Sequence, residues 1–206
     1  VNIIYGCCES SRVKVDQWVL PYVDEREREY YGLRGRTSIA AAYNEILDFY
    51  SEGQVDALIL LHDDLEIIDP DAEAKFMAAL EPDVWLVGVA GGGGTNGLAW
   101  WSVDPIGHQR TDAQNIDFGR RTGDVDLLEG SILVFSPEAI QRLRFDEEYP
   151  GFHGYDEIAA QAHNHGKRVV VADVDTHHHN SMGFKSAASA EEWLAADRRY
   201  REKWGL

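Results

Sequence analysis

Little in this chain could staple or anchor it. Its only two cysteines, Cys7 and Cys8, are adjacent, and neighbours in sequence rarely satisfy disulfide geometry, so no disulfide framework is implied. That usage fits a reducing compartment and predicts a cytoplasmic protein. No apolar run approaches the roughly 18 residues of a membrane span, and the N-terminus lacks a basic stretch leading into an apolar one, which predicts a soluble chain. Basic residues are also scarce: 19 Lys and Arg face 36 Asp and Glu, a formal net charge of -17. Such a chain repels a phosphate polymer, which makes nucleic acid an unlikely partner. A small anionic ligand would then need a bound cation or a few focused Arg and Lys residues.

What the chain does have is enough apolar material for a real core, 44% of 206 residues, and a length that suits one domain spanning 1–206. The opening VNIIYGCCES reads as a buried first strand. The charged, Gly-punctuated segment 24–36 (DEREREYYGLRGR) reads as a surface loop or frayed helix. From Thr37-Ser38 onward, Ile39, Ala42, Tyr43, Ile46, Leu47 and Tyr50 recur at helical spacing. DALILLH (56–62) is a short continuous apolar run, as a central strand shows. Asp69-Pro70 opens a helix running to Leu80, and Pro137 begins another. VWLVGVAGGGG reads as a strand passing into a glycine-rich loop, DLLEGSILVFS and RVVVADVDTHHH as one strand each, and YDEIAAQAHNHG and the C-terminal SAEEWLAADRRYREKW as helices. The alternation predicts the α/β class, with a mixed, mostly parallel central sheet flanked by helices.

Three clusters carry chemistry. In LILLHDDLEI an apolar strand delivers His62, Asp63 and Asp64 to its carboxyl end. Residues two apart point the same way, so His62 and Asp64 can share a cation while Asp63 faces elsewhere, toward a ribose for example. Imidazole with carboxylate suits Mn2+ or Mg2+ with phosphate as a further ligand. In DVDTHHHNSMG, His177 and His179 fall on one face and His178 on the other, and one of the three can complete the metal site from a distant part of the chain. In PGFHGYDEIAAQ, Asp156 and Glu157 occupy the first turn of a helix, where the dipole stabilises a carboxylate able to act as a base. Phe152, His153 and Tyr155 before them suit a pocket wall. Each cluster also has a plain reading, as solvated strand end, exposed histidine loop or helix cap. Lys185, Arg120 and Arg121 are basic residues suited to an anionic ligand, and Trp100 with Trp101 form an aromatic pair suited to stacking or to core packing.

Taken in order, AAAYNEIL, LILLHDDLEI, DLLEGSILVFS, FHGYDEIAAQAHNHG and VADVDTHHHNSMG resemble the GT-A (Rossmann-like) glycosyltransferases, and most closely small family-2-like bacterial and phage members whose metal motif begins with His. The likeness runs from Val1 to about Phe184. It implies a metal-dependent transferase moving a sugar from a nucleoside diphosphate, a UDP-sugar before a GDP- or dTDP-sugar, to an acceptor hydroxyl. Residues 1–100 would form the nucleotide-sugar-binding half, and 101–206 the acceptor half with the C-terminal helix. Carried over by position, the resemblance puts Tyr5, Gly6 and Cys7 near the base, and Thr37, Ala41 and Asn44 in the nucleotide pocket. Asp64 becomes the direct metal ligand, His62 replaces the usual first Asp, and His177 or His179 closes the site. Glu129 and Gly130 lie on the acceptor side with His153, Tyr155 and Glu157, Trp100 and Trp101 become an acceptor platform, Lys185, Arg120 and Arg121 become diphosphate contacts, and Asp156 is the base, which predicts inversion. A non-catalytic nucleotide-sugar-binding module, a sugar nucleotidyltransferase and a metallohydrolase are the competing readings; the second would usually carry a basic glycine-rich loop where this chain has GCCES.

Overall fold

Strand β1 (Ile3–Glu9) is buried along nearly its whole length, as its apolar composition requires of a central position in a sheet. The computed structural model describes residues 1–36, 38–149, 157–179 and 187–206. After β1 the chain forms a short helical stretch, α1 (Arg12–Lys14), a π-helical turn (Val15–Val19) and α2 (Leu20–Glu25). It returns as β2 (Glu29–Arg34), parallel to β1. This corrects the sequence expectation of a loop or frayed helix. Only Leu33 of β2 is buried, and its charged residues are those of an edge strand that discourages further pairing.

Helix α3 (Ile39–Tyr50) begins where Ser38 accepts a hydrogen bond from Ala41 N at 3.3 Å, and it buries Ala42, Tyr43, Ile46, Leu47 and Tyr50 as their spacing predicts. Then come β3 (Ala57–His62), β4 (Leu65–Ile67), α4 (Ala72–Ala79), β5 (Val84–Gly88), β6 (Ala90–Gly92), a 3-10 turn (Trp100–Ser102), β7 (Pro105–Thr111) and β8 (Asn115–Asp117). The chain continues through β9 (Gly123–Asp124), β10 (Leu127–Leu128), β11 (Ile132–Phe135), α5 (Pro137–Arg142), α6 (Ile158–Asn164), β12 (Arg168–Val171), β13 (Thr176–His178) and α7 (Ala187–Trp204).

The described strands form two sheets. The larger runs β2-β1-β3-β11-β5-β12-β9, with β11 antiparallel to β3 and β5 and β9 antiparallel to β12. The smaller runs β10-β6-β7-β13-β4, with β8 beside β7. Two segments read as single strands therefore divide, β10 from β11 and β12 from β13, and β6 forms after β5 where a glycine-rich loop is expected. At each break, and at His62-Asp63-Asp64 between β3 and β4, the chain leaves one sheet for the other. Gly91 and Gly92 permit this folding over, because a Cβ on either would strike the backbone carbonyl of Leu127 or Trp100.

Strand alternation sorts the core into two layers. Ile4, Leu58, Leu60, Leu133 and Phe135 face α3, α5, α6 and α7, whereas Tyr5, Cys7, Ile59, Leu61 and Val134 face the Val15–Val19 turn, α2 and α4. No described helix is long and apolar enough to cross a membrane.

Candidate active site

The residues that can do chemistry gather where the two sheets meet. His62 ends β3 in the large sheet, and after a two-residue turn β4 pairs antiparallel with β13, setting Leu65 opposite His178 and Glu66 opposite His177. His179 N closes the pairing by donating to the carbonyl of Asp64 at 2.8 Å. The His178 ring turns toward the large sheet, with Nε2 3.2 Å from Asp64 Oδ1 and 3.4 Å from His62 Nδ1. Lys14, from α1, donates to Asp64 Oδ2 at 3.0 Å and lies 3.4 Å from Asp63 Oδ1.

The electrostatics of this group suit a cation. Burial, and then the charge of His178, lower the pKa of His62 to about 4, which keeps that imidazole neutral and able to ligate. Burial pushes the Asp64 carboxyl up, but the hydrogen bond and charge of His178 and Lys14 outweigh it and hold Asp64 well below the usual carboxylate range. Burial likewise opposes the charged form of His178, yet Asp64 and the buried Glu129 raise its pKa overall. One ligand atom each from His62, Asp64 and His178 lie within 4.8 Å of one another. Two imidazoles and a carboxylate form a donor set that fits a divalent ion and leaves coordination positions for a ligand's oxygens.

His177 and His179, expected to complete this group, lie on the other side of the strand. Their rings stack on each other at 3.9 Å between centroids, beside Glu66 and Asp112. The histidine that joins His62 and Asp64 is His178.

Other expected residues are placed as follows. Asp63 is 6% exposed, and its Oδ2 accepts from Ser10 N, Ser10 Oγ and Ser11 N at 2.7, 2.6 and 2.9 Å, so it anchors the loop after β1. Tyr5 and Cys7 are buried in the core layer; the Tyr5 hydroxyl donates to Glu73 at 3.0 Å, and burial pushes the Cys7 thiol up. A Cβ on Gly6 would press on Leu60 and Ile46, so this glycine lets α3 pack close. Ala41 is partly exposed in the first turn of α3. Asn44 ties α3 to the segment after α5 through Phe145 N at 2.7 Å, Phe145 O at 2.9 Å and Glu147 at 2.8 Å.

Glu129 accepts from the amide and hydroxyl of Ser131, and Gly130 is buried beside it. Trp100 packs in the core against Phe118 while Trp101 is 44% exposed. Glu157 is fully buried, with its carboxylate 2.9 Å from Lys203 Nζ and accepting from Gln161 at 2.9 Å; burial raises its pKa. Arg120 and Arg121 pair with Asp104 and Asp117. Thr37, His153, Tyr155, Asp156 and Lys185 lie outside the described residues.

Two members of the group escaped the sequence reading. Lys14 is a basic residue shortly after the first strand, the signal sought in GCCES and found a few positions later. His178 was visible as one of three histidines, but only the β4–β13 register selects it.

Residues 12–200 match the glycosyltransferase-like family. The streptomycin biosynthesis protein StrF of Streptomyces griseus is 29% identical over 211 residues, an alignment covering 97% of this chain and 74% of StrF. Among solved structures, the mannosyltransferase PcManGT from Pyrobaculum calidifontis, in complex with GDP-Man and Mn2+, superposes with a TM-score of 0.61 at 11% identity, covering 98% of this chain and 63% of that one. GalNAc-T7 with UDP, GalNAc and Mn2+ gives a TM-score of 0.58 at 10% identity, covering 98% of this chain and 41% of that one. The matched segment takes in β3, β13 and nearly all of both sheets, and on that basis this chain belongs to the glycosyltransferase-like family, as a glycosyltransferase of the GT-A fold.

Proposed function

We propose that the chain moves a sugar from a nucleoside diphosphate donor, with UDP-sugars favoured, to an acceptor hydroxyl, and that the reaction inverts the anomeric centre. The observation that carries this reading is the convergence of His62, Asp64 and His178 at the seam of the two sheets, with Lys14 beside them. Two structural neighbours bind a nucleotide or nucleotide sugar together with Mn2+. Both features support a donor site built around a divalent cation, Mn2+ or Mg2+.

When bound, the cation supplies Lewis acidity that neutralises charge developing on the departing diphosphate. His62, Asp64 and His178 would hold it. Lys14 offers a second positive charge to the diphosphate, which matters in a chain of net charge -17. Asp63 fixes the Ser10-Ser11 loop that borders the nucleotide, while Ala41, Thr37 and the Asn44 helix line the nucleotide side. Residues 1–100 are the donor half and 101–206 the acceptor half. Asp156 takes the proton of the acceptor hydroxyl as it attacks the anomeric carbon. Glu157, locked by Lys203 and Gln161, anchors the helix that follows Asp156. Of the tryptophan pair, Trp101 has the exposure to meet an acceptor.

The test is a thermal-shift comparison of UDP, GDP and dTDP, each with and without Mn2+. A metal-dependent rise with UDP larger than with the others is expected. No metal-dependent stabilisation by any of the three overturns the donor-site reading. Inversion is checked by the anomeric configuration of the first-formed product in NMR.

A further inference from the structure

The other face of β13 carries a second group of the same ligand types. Glu66 and His177 are partners in the β4–β13 register, and His179 follows two residues on. His177 Nε2 lies 2.9 Å from Asp112 Oδ1, and His179 Nδ1 lies 3.3 Å from the same oxygen. His179 Nε2 lies 2.8 Å from Glu66 Oε2. Trp18 stacks on the His179 ring at 4.4 Å between centroids and 9° between planes, fixing its orientation. Both histidine side chains are 16% exposed, so they are held inward on carboxylates and do not trail in water.

Neutral rings alone do not fill these contacts. A neutral imidazole has one N–H. Three nitrogen-to-carboxylate contacts are present, and two neutral rings supply hydrogens for two of them. A divalent cation bound between a ring nitrogen and a carboxylate would stand in for the third hydrogen, ligated from both sides. One ligand atom each from Glu66, His177 and His179 already lie within 4.8 Å of one another.

We propose that Glu66, His177 and His179, with Asp112 next to them, form a second divalent-cation site, separate from His62, Asp64 and His178. Two imidazoles with carboxylate are a donor set for Zn2+ or a neighbouring borderline transition metal. The ion would join β4 and β13 to the turn between β7 and β8, where Asp112 sits, and so fix the backbone from which His178 projects the opposite way. This site does not depend on the transferase reading.

The experiment is a calorimetric titration of the metal-stripped chain, carrying no histidine tag, with Zn2+, backed by equilibrium dialysis and elemental analysis. Two equivalents are expected for the unaltered protein. The double change His177→Ala with His179→Ala should leave one. Asp64→Asn should lose the other equivalent and retain the one at Glu66. Glu66→Gln, a conservative change at a part-exposed position, should weaken the second equivalent at least about tenfold while near-UV circular dichroism stays native. No equivalent in the unaltered protein, or a single one that the double change His177→Ala with His179→Ala leaves in place, overturns the proposal. So do two equivalents surviving in the double variant, Asp64→Asn removing both, or Glu66→Gln leaving the second affinity unchanged.

Discussion

The Nε2 of His178 rests 3.2 Å from Asp64 Oδ1, across 114 positions of chain. If these two groups share a cation, His178→Ala and Asp64→Asn should each weaken Mn2+ binding by about 10- to 100-fold or more. The Mn2+-dependent thermal shift with UDP should shrink in step. His177→Ala, on the opposite face of the strand, should leave that shift in place. A His177→Ala protein that loses it as fully as His178→Ala would show that the histidine run acts as a unit.

Asp63 should report on folding more than on ligation. Its Oδ2 gathers three hydrogen bonds from Ser10 and Ser11 while nearly buried. Asp63→Ala leaves the two amides and the Ser10 hydroxyl without their charged acceptor, at an expected cost of about 2–4 kcal/mol in urea unfolding. Asp63→Asn keeps one acceptor oxygen and should cost less.

The C-terminal helix should come loose in acid. Asp146 meets Arg199 and Lys203 of α7, each at 2.9 Å. Burial pushes its carboxyl up, but Lys203, the amide of Glu148 and Arg199 outweigh that and lower it to about 2, from 3.8. A carboxylate with a depressed folded pKa stabilises the fold above its unfolded value and loses that contribution as pH falls through the folded one. The attachment of α7 should therefore hold above about pH 4 and weaken between there and about pH 2. Limited proteolysis by pepsin across this range checks it, and Asp146→Asn should remove that pH dependence.

Trp100 and Trp101 should separate cleanly. Trp100 is 6% exposed and Trp101 44%. Trp100→Ala opens a core cavity and should cost about 3–5 kcal/mol. Trp101→Ala should stay within about 1 kcal/mol in the same denaturation experiment.

The contrast between α3 and β2 shows what was legible in the sequence. The α3 stripe is local: Ala42, Tyr43, Ile46, Leu47 and Tyr50 lie within one helix, and their spacing alone states which face is buried. The Glu29–Arg34 strand hid because an edge strand buries so little that charge dominates its pattern. Its existence depends on pairing with β1, which no window of sequence displays. The same divide runs through the site. That His62 and Asp64 sit at a strand end was readable from the apolar run before them. That His177 and His179 share a face opposite His178 followed from the two-residue period, but which face meets His62 is set by the pairing of β13 with β4. Tyr5 and Cys7 point into the core for a similar reason: both faces of β1 are covered, so alternation there chooses between two interiors.

His62 belongs to the large sheet and His178 to the small one. Any sliding of one sheet along the other changes the gap between these two rings before it disturbs either sheet's own ladder. The pair is thus a gauge of shear across the seam, and an ion that ligates both rings works as a rivet. Its removal should appear as faster amide exchange in β4 and β13, with the exchange of β3 and β11 unaltered.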